Sequence, residues 1–404
     1  MVCVEEYKVN PKYDKSKVLK DKKSSLQFLP SKLAIESLSK TLIYKDTKLK
    51  TSYLIDIVHN LILKYYFKKD NIFHLSSLIL KEKYGYLYNY YIQYLTEKNI
   101  LVLIRNHKKG KNARVYKLSE DCLKTPKRFR NEDKVLIKKY KNALNFIESN
   151  NIDKNNIDAE IKKKLVQDLF FVEIDFSRSI FYLDSTIQDS DIYERNRYSV
   201  ECINDKHIFY HFDNYGRMHT NFTILKSFIR KNCLLIEGEE TFEIDIKNSQ
   251  PMFLNKIIEI WGKDKVDENE FSLFRDLTRY GTFYQYIMDV GNIKTKQEAK
   301  DLVYNVFFGK NYKTKFDIAF SKIFPTIYNF IKFYKKMRGD YKSLAYDLQN
   351  LESDLIFNKI IKELNDINPN IRLITVHDSI ICKKSDREML ESVFYKHLSN
   401  EFKW

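Results

Sequence analysis

The chain has 404 residues, 44% of them hydrophobic and 15% aromatic, a folding composition that excludes a disordered chain. Lys and Arg total 70 against 54 acidic residues, a net charge of +16, which makes a polyanion the expected partner, nucleic acid ahead of an anionic membrane surface. An AT-rich coding sequence, which favours Lys, Ile, Asn and Tyr, would produce a similar bias.

Residues 1–25 are charged and lack an apolar core, so no signal peptide is expected. No apolar run nears the roughly 20 residues of a membrane span, and no membrane association is expected. The five cysteines are scattered singly, without zinc spacing, which fits a reducing cytoplasm. Residues 1–50, rich in Lys and Ser, read as a basic arm leading into a first helix. Residues 51–120 read as one unit. Helical periodicity runs over 53–63, a short second helix over 75–80 stops near Gly85, and a tyrosine-rich third helix spans 86–98. A hairpin follows, with strands at 100–105 and 113–118. Three helices and a basic hairpin are the order of a winged helix-turn-helix, whose wing would set His107, Lys108, Lys109, Lys111 and Arg114 against phosphates. Such a unit equally serves as a dock for a partner protein, here one of replication. Residues 121–204, with amphipathic helices around 132–150 and 155–170, read as a helical, thumb-like connector. From 205 onward strands and helices alternate, giving an α+β class.

Four segments of this last stretch carry chemistry. In Asp213-Asn-Tyr-Gly216-Arg217 a tight turn presents Arg217 to a phosphate or base edge. In Thr241-Phe-Glu-Ile-Asp245-Ile-Lys-Asn-Ser-Gln250-Pro251 a strand running to Asn248 precedes a helix to about Trp261, with Pro251 in its first turn. Lys296, Lys300, Tyr304 and Phe308 recur every fourth residue, one face of a helix that stops at Gly309. Lysines at one end and rings at the other suit a nucleoside triphosphate lying lengthwise; the same pattern describes an amphipathic helix with buried rings and solvated lysines. Val376-His377-Asp378-Ser379 reads as a tight hairpin with Asp378 at its tip. Two strand-end carboxylates, Asp245 and Asp378, can hold two magnesium ions about 4 Å apart, the apparatus of nucleotidyl transfer. A hydrolase triad is disfavoured, because no Gly-x-Ser-x-Gly elbow exists in the chain.

In this order the four segments resemble the core shared by family A DNA polymerases and single-subunit, phage-type RNA polymerases, over roughly residues 205–404. The 213–217 turn resembles their DxxGR element, the Asp245 segment motif A, the 296–309 helix motif B and His377-Asp378-Ser379 motif C. The resemblance implies a right-hand polymerase core, an antiparallel palm sheet with helical fingers reduced in size. It implies two Mg2+ ions, replaceable by Mn2+, on Asp245, Asp378 and the carbonyl of Ile246, with Lys300 acting on the leaving group. It implies nucleotide binding by Lys296, Lys300, Tyr304, Phe308 and Gln250, and primer and template binding by Arg217, His377 and Gln349. Gln250 is bulky enough to exclude a 2′-hydroxyl and can also hydrogen-bond one. Phe308 lacks the hydroxyl that the RNA enzymes use, and Ser379 stands where those enzymes often have Ser. The expected activity is a DNA polymerase without proofreading, acting on a DNA template and primer with nucleoside triphosphates in a host cytoplasm, for a plasmid, phage or other mobile element. The alternatives are a primase or RNA polymerase on the same scaffold, and a non-catalytic replication initiator.

Overall fold

The computed structural model describes residues 24–30, 33, 39–68, 71–106, 113–123, 127–139 and 157–402. They form an α+β fold, mostly helical with small antiparallel sheets, in two units. The first takes the described residues of 1–149, 172–209 and 224–234, the second those of 150–171, 210–223 and 235–404.

The first unit runs β1 (Ser25–Leu29), β2 (Thr41–Tyr44), β3 (Thr47–Lys50), α1 (Thr51–Lys68), β4 (Phe73–Leu75), α2 (Ser77–Tyr84), α3 (Tyr88–Glu97), β5 (Leu101–Arg105), β6 (Arg114–Leu118), β7 (Lys127–Asn131) and β8 (Val172–Ile174), with further helices at Phe176–Thr186 and Ser190–Asn204. Residues 25–50 therefore depart from the expected arm. Every residue of β1 is buried, and β1 pairs with β7 in the register Ser25↔Asn131. The hairpin β2–β3 turns at Lys45 and Asp46, both at positive φ, as a two-residue hairpin requires. Asp56 on α1 locks β1 in place: it accepts from Gln27 Nε2 at 2.7 Å and the Tyr84 hydroxyl at 2.6 Å, and pairs with Lys83 at 2.8 Å. Beside it His59 Nδ1 accepts the Phe28 N–H at 3.0 Å, and burial pushes this imidazole down to about 4.

The expected three helices and hairpin of 51–120 are present as α1, α2, α3 and β5–β6, with one addition: β4 joins β6 to make the three-stranded order β4-β6-β5. His107, Lys108, Lys109 and Lys111 lie outside the described residues; Arg114 opens β6 with its side chain exposed. The stretch 121–204 is not one helical connector. It contains β7 and β8, and its residues fall in both units. Of its two expected helices, the first is described only over 134–139 and the second spans Ala159–Asp168.

The second unit contains that helix, α4 (Ala159–Asp168), the hairpin β9 (Tyr210–Phe212) and β10 (Met218–Thr220), then β11 (Leu234–Ile236), β12 (Glu239–Asp245), α5 (Ser249–Trp261), α6 (Glu268–Arg279), α7 (Phe283–Gly291), α8 (Lys296–Phe308), α9 (Lys315–Ile323), α10 (Pro325–Met337), α11 (Ser343–Ser353), β13 (Ile374–Val376), β14 (Ser379–Lys383) and α12 (Arg387–Phe402). A π-helical stretch, Asp354–Ile361, continues α11. Its antiparallel sheet has the order β13-β14-β12-β11. Ser379 through Cys382 of β14 are all buried, as expected of a strand with neighbours on both sides. At the sheet's base the buried Asp168 receives Lys164 at 2.7 Å, Arg372 at 3.2 Å and the Leu373 N–H at 3.1 Å. The helices α6 to α10 share an aromatic core in which Phe274, Phe283, Phe307, Phe320 and Phe324 are buried and in mutual ring contact.

Candidate active site

The register of the sheet sets the two aspartates side by side. Asp245, the last residue of β12, stands opposite Ser379, and the Ile246 N–H donates to the Asp378 carbonyl at 3.3 Å. β13 and β14 pair through Val376↔Ser379, leaving His377 and Asp378 as a two-residue turn, as the sequence pattern implied. His377 takes φ +56°, a left-handed conformation in which His is tolerated better than most residues. β12 stops at Asp245, three residues short of its expected end, because Asn248 turns left-handed at φ +55° to start α5.

α8 begins and ends where its spacing predicted. Thr295 and Glu298 form a capping box at its start. Ala299, Leu302, Val303, Val306 and Phe307 are buried on its core face. The opposite face carries Lys296, Lys300, Tyr304 and Phe308, so neither ring is the core residue of the simpler amphipathic reading. The Tyr304 and Phe308 rings stack at 5.5 Å and 22°. Lys300 Nζ stands 5.8 Å from the Tyr284 ring, and neither lysine has an acidic partner among the described residues.

The 213–217 turn is held by Asp213, whose Oδ1 accepts the N–H groups of Tyr215 at 2.9 Å and Arg217 at 3.0 Å. Gly216 has φ +86°, and a Cβ there would lie 2.8 Å from Ile157 Cδ1, so only glycine fits. Arg217 is not free. Its Nε and Nη2 both donate to Glu352 Oε1, at 2.9 and 2.6 Å. Glu352 Oε2 accepts from Ser249 Oγ and Gln250 Nε2, each at 2.6 Å. One buried carboxylate of α11 thus ties together the 213–217 turn and the start of α5. Gln250 is itself buried, with its amide anchored.

A cleft of about 610 Å3 is lined by all eleven residues that the sequence assigned to catalysis, metal, nucleotide or primer–template within this unit: Arg217, Asp245, Ile246, Gln250, Lys296, Lys300, Tyr304, Phe308, Gln349, His377 and Asp378. It is also lined by Glu352 and Tyr284, which the sequence reading missed. Glu352 had one available signal, its position three residues after Gln349 on the same helical face.

Burial pushes the Asp378 carboxyl up to about 7, with the carboxylates of Glu352 and Asp245 adding to the shift against Arg217. Asp245, Asp378 and Glu352 line the cleft together with Arg217, Lys247, Lys296 and Lys300. Among the described residues no three His, Cys, Asp or Glu side chains assemble as a metal-holding group. Magnesium commonly takes only one or two protein carboxylates and completes its shell with water and substrate phosphate. Asp245, exposed at its strand end, Asp378 and the Ile246 carbonyl fit that donor set, and a divalent cation would offset the burial and the neighbouring charges that raise Asp378. No protein-family model and no curated protein matches the sequence.

Proposed function

We propose that the chain is a template-directed nucleotidyltransferase, a DNA polymerase without proofreading that extends a primer on a DNA template. The observation that carries this reading is the convergence on one cleft of eleven residues drawn from segments spread over 162 positions (217 to 378). In this reading the sheet β13-β14-β12-β11 is the palm, helices α7 to α9 are reduced fingers, and the α1–β6 segment of the first unit is a winged-helix-like module that contacts DNA or a replication protein. The setting is a host cytoplasm and the replication of a plasmid, phage or other mobile element.

Asp245, Asp378 and the Ile246 carbonyl would hold two Mg2+ ions, with Mn2+ able to substitute. When bound, the ions acidify the primer 3′-hydroxyl and neutralise the triphosphate. The chain's own groups supply the rest. Lys296 and Lys300, unpaired on the open face of α8, bind the phosphates, and Lys300 Nζ donates to the leaving pyrophosphate oxygen. Tyr304 and Phe308 give the sugar and nascent base pair a stacked wall. Gln250, anchored by Glu352, is a fixed bulk at the start of α5 and disfavours a 2′-hydroxyl. Phe308 offers that hydroxyl no partner. Ser379 is buried opposite Asp245, where it serves strand packing and does not bear on the sugar. Arg217 acts as a positioning residue through Glu352, while His377 and Gln349 face primer and template.

The test is extension of a primed single strand with deoxynucleotides and, separately, ribonucleotides. Asp378→Ala should abolish magnesium-dependent incorporation and leave DNA binding intact. Undiminished incorporation by that variant would remove the site. Preferential use of ribonucleotides, or synthesis without a primer, would move the assignment to an RNA polymerase or primase.

A further inference from the structure

A second concavity in the same unit, of about 480 Å3, lies beyond the C-terminal end of α8. Lys313, Lys332, Lys335 and Lys336 line it beside a single acid, Asp340. Their charges are compensated unequally. Lys332 pairs with Asp317 at 2.6 Å. Lys335, 1% exposed, donates to the carbonyls of Val306 at 2.7 Å and Gly309 at 2.8 Å, which satisfy its hydrogen bonds without cancelling its charge. Burial and the adjacent Lys332 push its pKa down to about 8, against the opposing pull of Asp317. Lys313 and Lys336 are exposed and have no acidic partner among the described residues. Three of the four lysines, Lys313, Lys335 and Lys336, therefore have no ion-pair partner among the described residues, and Asp340 is the one acid of the lining.

Two further observations say what kind of anion fits. The rim interleaves cations with rings: Lys310 Nζ stands 5.9 Å from the Tyr341 ring and 5.8 Å from that of Tyr312, whose side chain is 69% exposed. An exposed ring, Tyr312, and a half-buried one, Tyr341, among lysines suit a strand whose bases stack while its phosphates are bound, and add nothing for a free phosphate. The pocket is also close to the cleft. Phe308 lines the cleft and Asn311 lines the pocket, and three residues of chain span at most about 11 Å.

We propose that this pocket binds the sugar–phosphate backbone of a single-stranded nucleic acid, the strand that continues out of the catalytic cleft past the end of α8. The identity of the strand as template rests on the polymerase reading; the site itself rests on charge, shape and rings. Lys335 links it to the last turn of α8, so occupancy bears on the helix that carries Lys300 and Tyr304.

The test is anisotropy of a labelled oligothymidylate, titrated at several salt concentrations against the full chain and its Lys313→Glu/Lys336→Glu variant, with tripolyphosphate as competitor. Losing two phosphate contacts should weaken binding about tenfold and flatten the slope of log K against log salt by about 1.4. Lys313→Gln/Lys336→Gln, which adds no acid, should flatten the slope similarly at an unchanged melting temperature. An unchanged slope, or one that flattens only with a fall in melting temperature, overturns the proposal. So does a variant that loses tripolyphosphate binding but keeps the oligonucleotide, since the pocket would then take a free polyphosphate. The assay needs no incorporation: a null result here leaves the polymerase reading standing, and an inactive parent chain that still shows the lysine dependence leaves the strand site standing.

Discussion

Asp378 sits on a two-residue turn, buried and close to other carboxylates, and its proton affinity reads out that burial first and the neighbouring charges second. Its folded-state pKa of about 7 lies above the ordinary 3.8, so the folded chain holds this proton more tightly than the unfolded chain does. The group's contribution to stability is then fully present below about pH 4 and is lost as pH rises through 7. For metal-free protein, Asp378→Asn should raise the melting temperature at pH 8 and change it little at pH 4. Added magnesium should stabilise the parent at pH 8 and leave the variant unmoved. Equal melting temperatures for parent and variant at pH 8 would mean that neither burial nor the neighbouring carboxylates penalise the ionised Asp378. Glu352 shows what residue-level reading of a sequence cannot reach. Nothing about a lone Glu on a helix announces that Arg217, Ser249 and Gln250 all donate to it. Gln250 was legible as a position and not as an environment: its burial depends on a carboxylate 102 residues away.

Elements with a strong internal period were the legible ones. α8 could be drawn to the residue because its lysines and rings repeat every fourth position and Gly309 ends it. The β12 and β14 strands follow from their β-branched runs, and the register between them follows from burial of Ile244 and Ile380, which pair directly. β1 was illegible for the opposite reason: its partner β7 lies about a hundred positions along the chain, and five residues carry too little pattern alone. The same holds for the short β4. The helix α4 is tied to the sheet by a buried charge cluster, and this has an energetic consequence. Asp168→Ala would strip Arg372, packed on the Phe171 ring at 3.7 Å, of its buried carboxylate and leave it the longer pair to Glu237 at 3.5 Å. Removing one partner of a buried pair typically costs about 3–5 kcal/mol, and urea denaturation should show a loss of that order. A loss under about 1 kcal/mol would mean that water or relaxation reaches the site.

At the scale of the whole molecule the excess of 16 positive charges bears on the partner directly. Oligonucleotide binding should weaken by about tenfold or more between roughly 50 and 200 mM salt, because each neutralised phosphate releases counter-ions. Salt-insensitive binding would assign the charge another role. The fold class was legible in the alternation of strands and helices, whereas the boundary drawn near residue 205 was not borne out by the path of the chain. That path passes between the two units repeatedly: residues 150–171 and 210–223 belong with 235–404, while 172–209 and 224–234 belong with the N-terminal part. A fragment beginning at residue 205 would carry ten of the eleven cleft residues on intact motifs, and the eleventh, Arg217, on a turn stripped of Ile157. It would also lack Asp168 and Lys164 under the sheet. Because the cleft-bearing unit starts at residue 150 and is interrupted by 172–209 and 224–234, no single cut isolates it: any gene fragment that passes this unit on whole also carries pieces of the other.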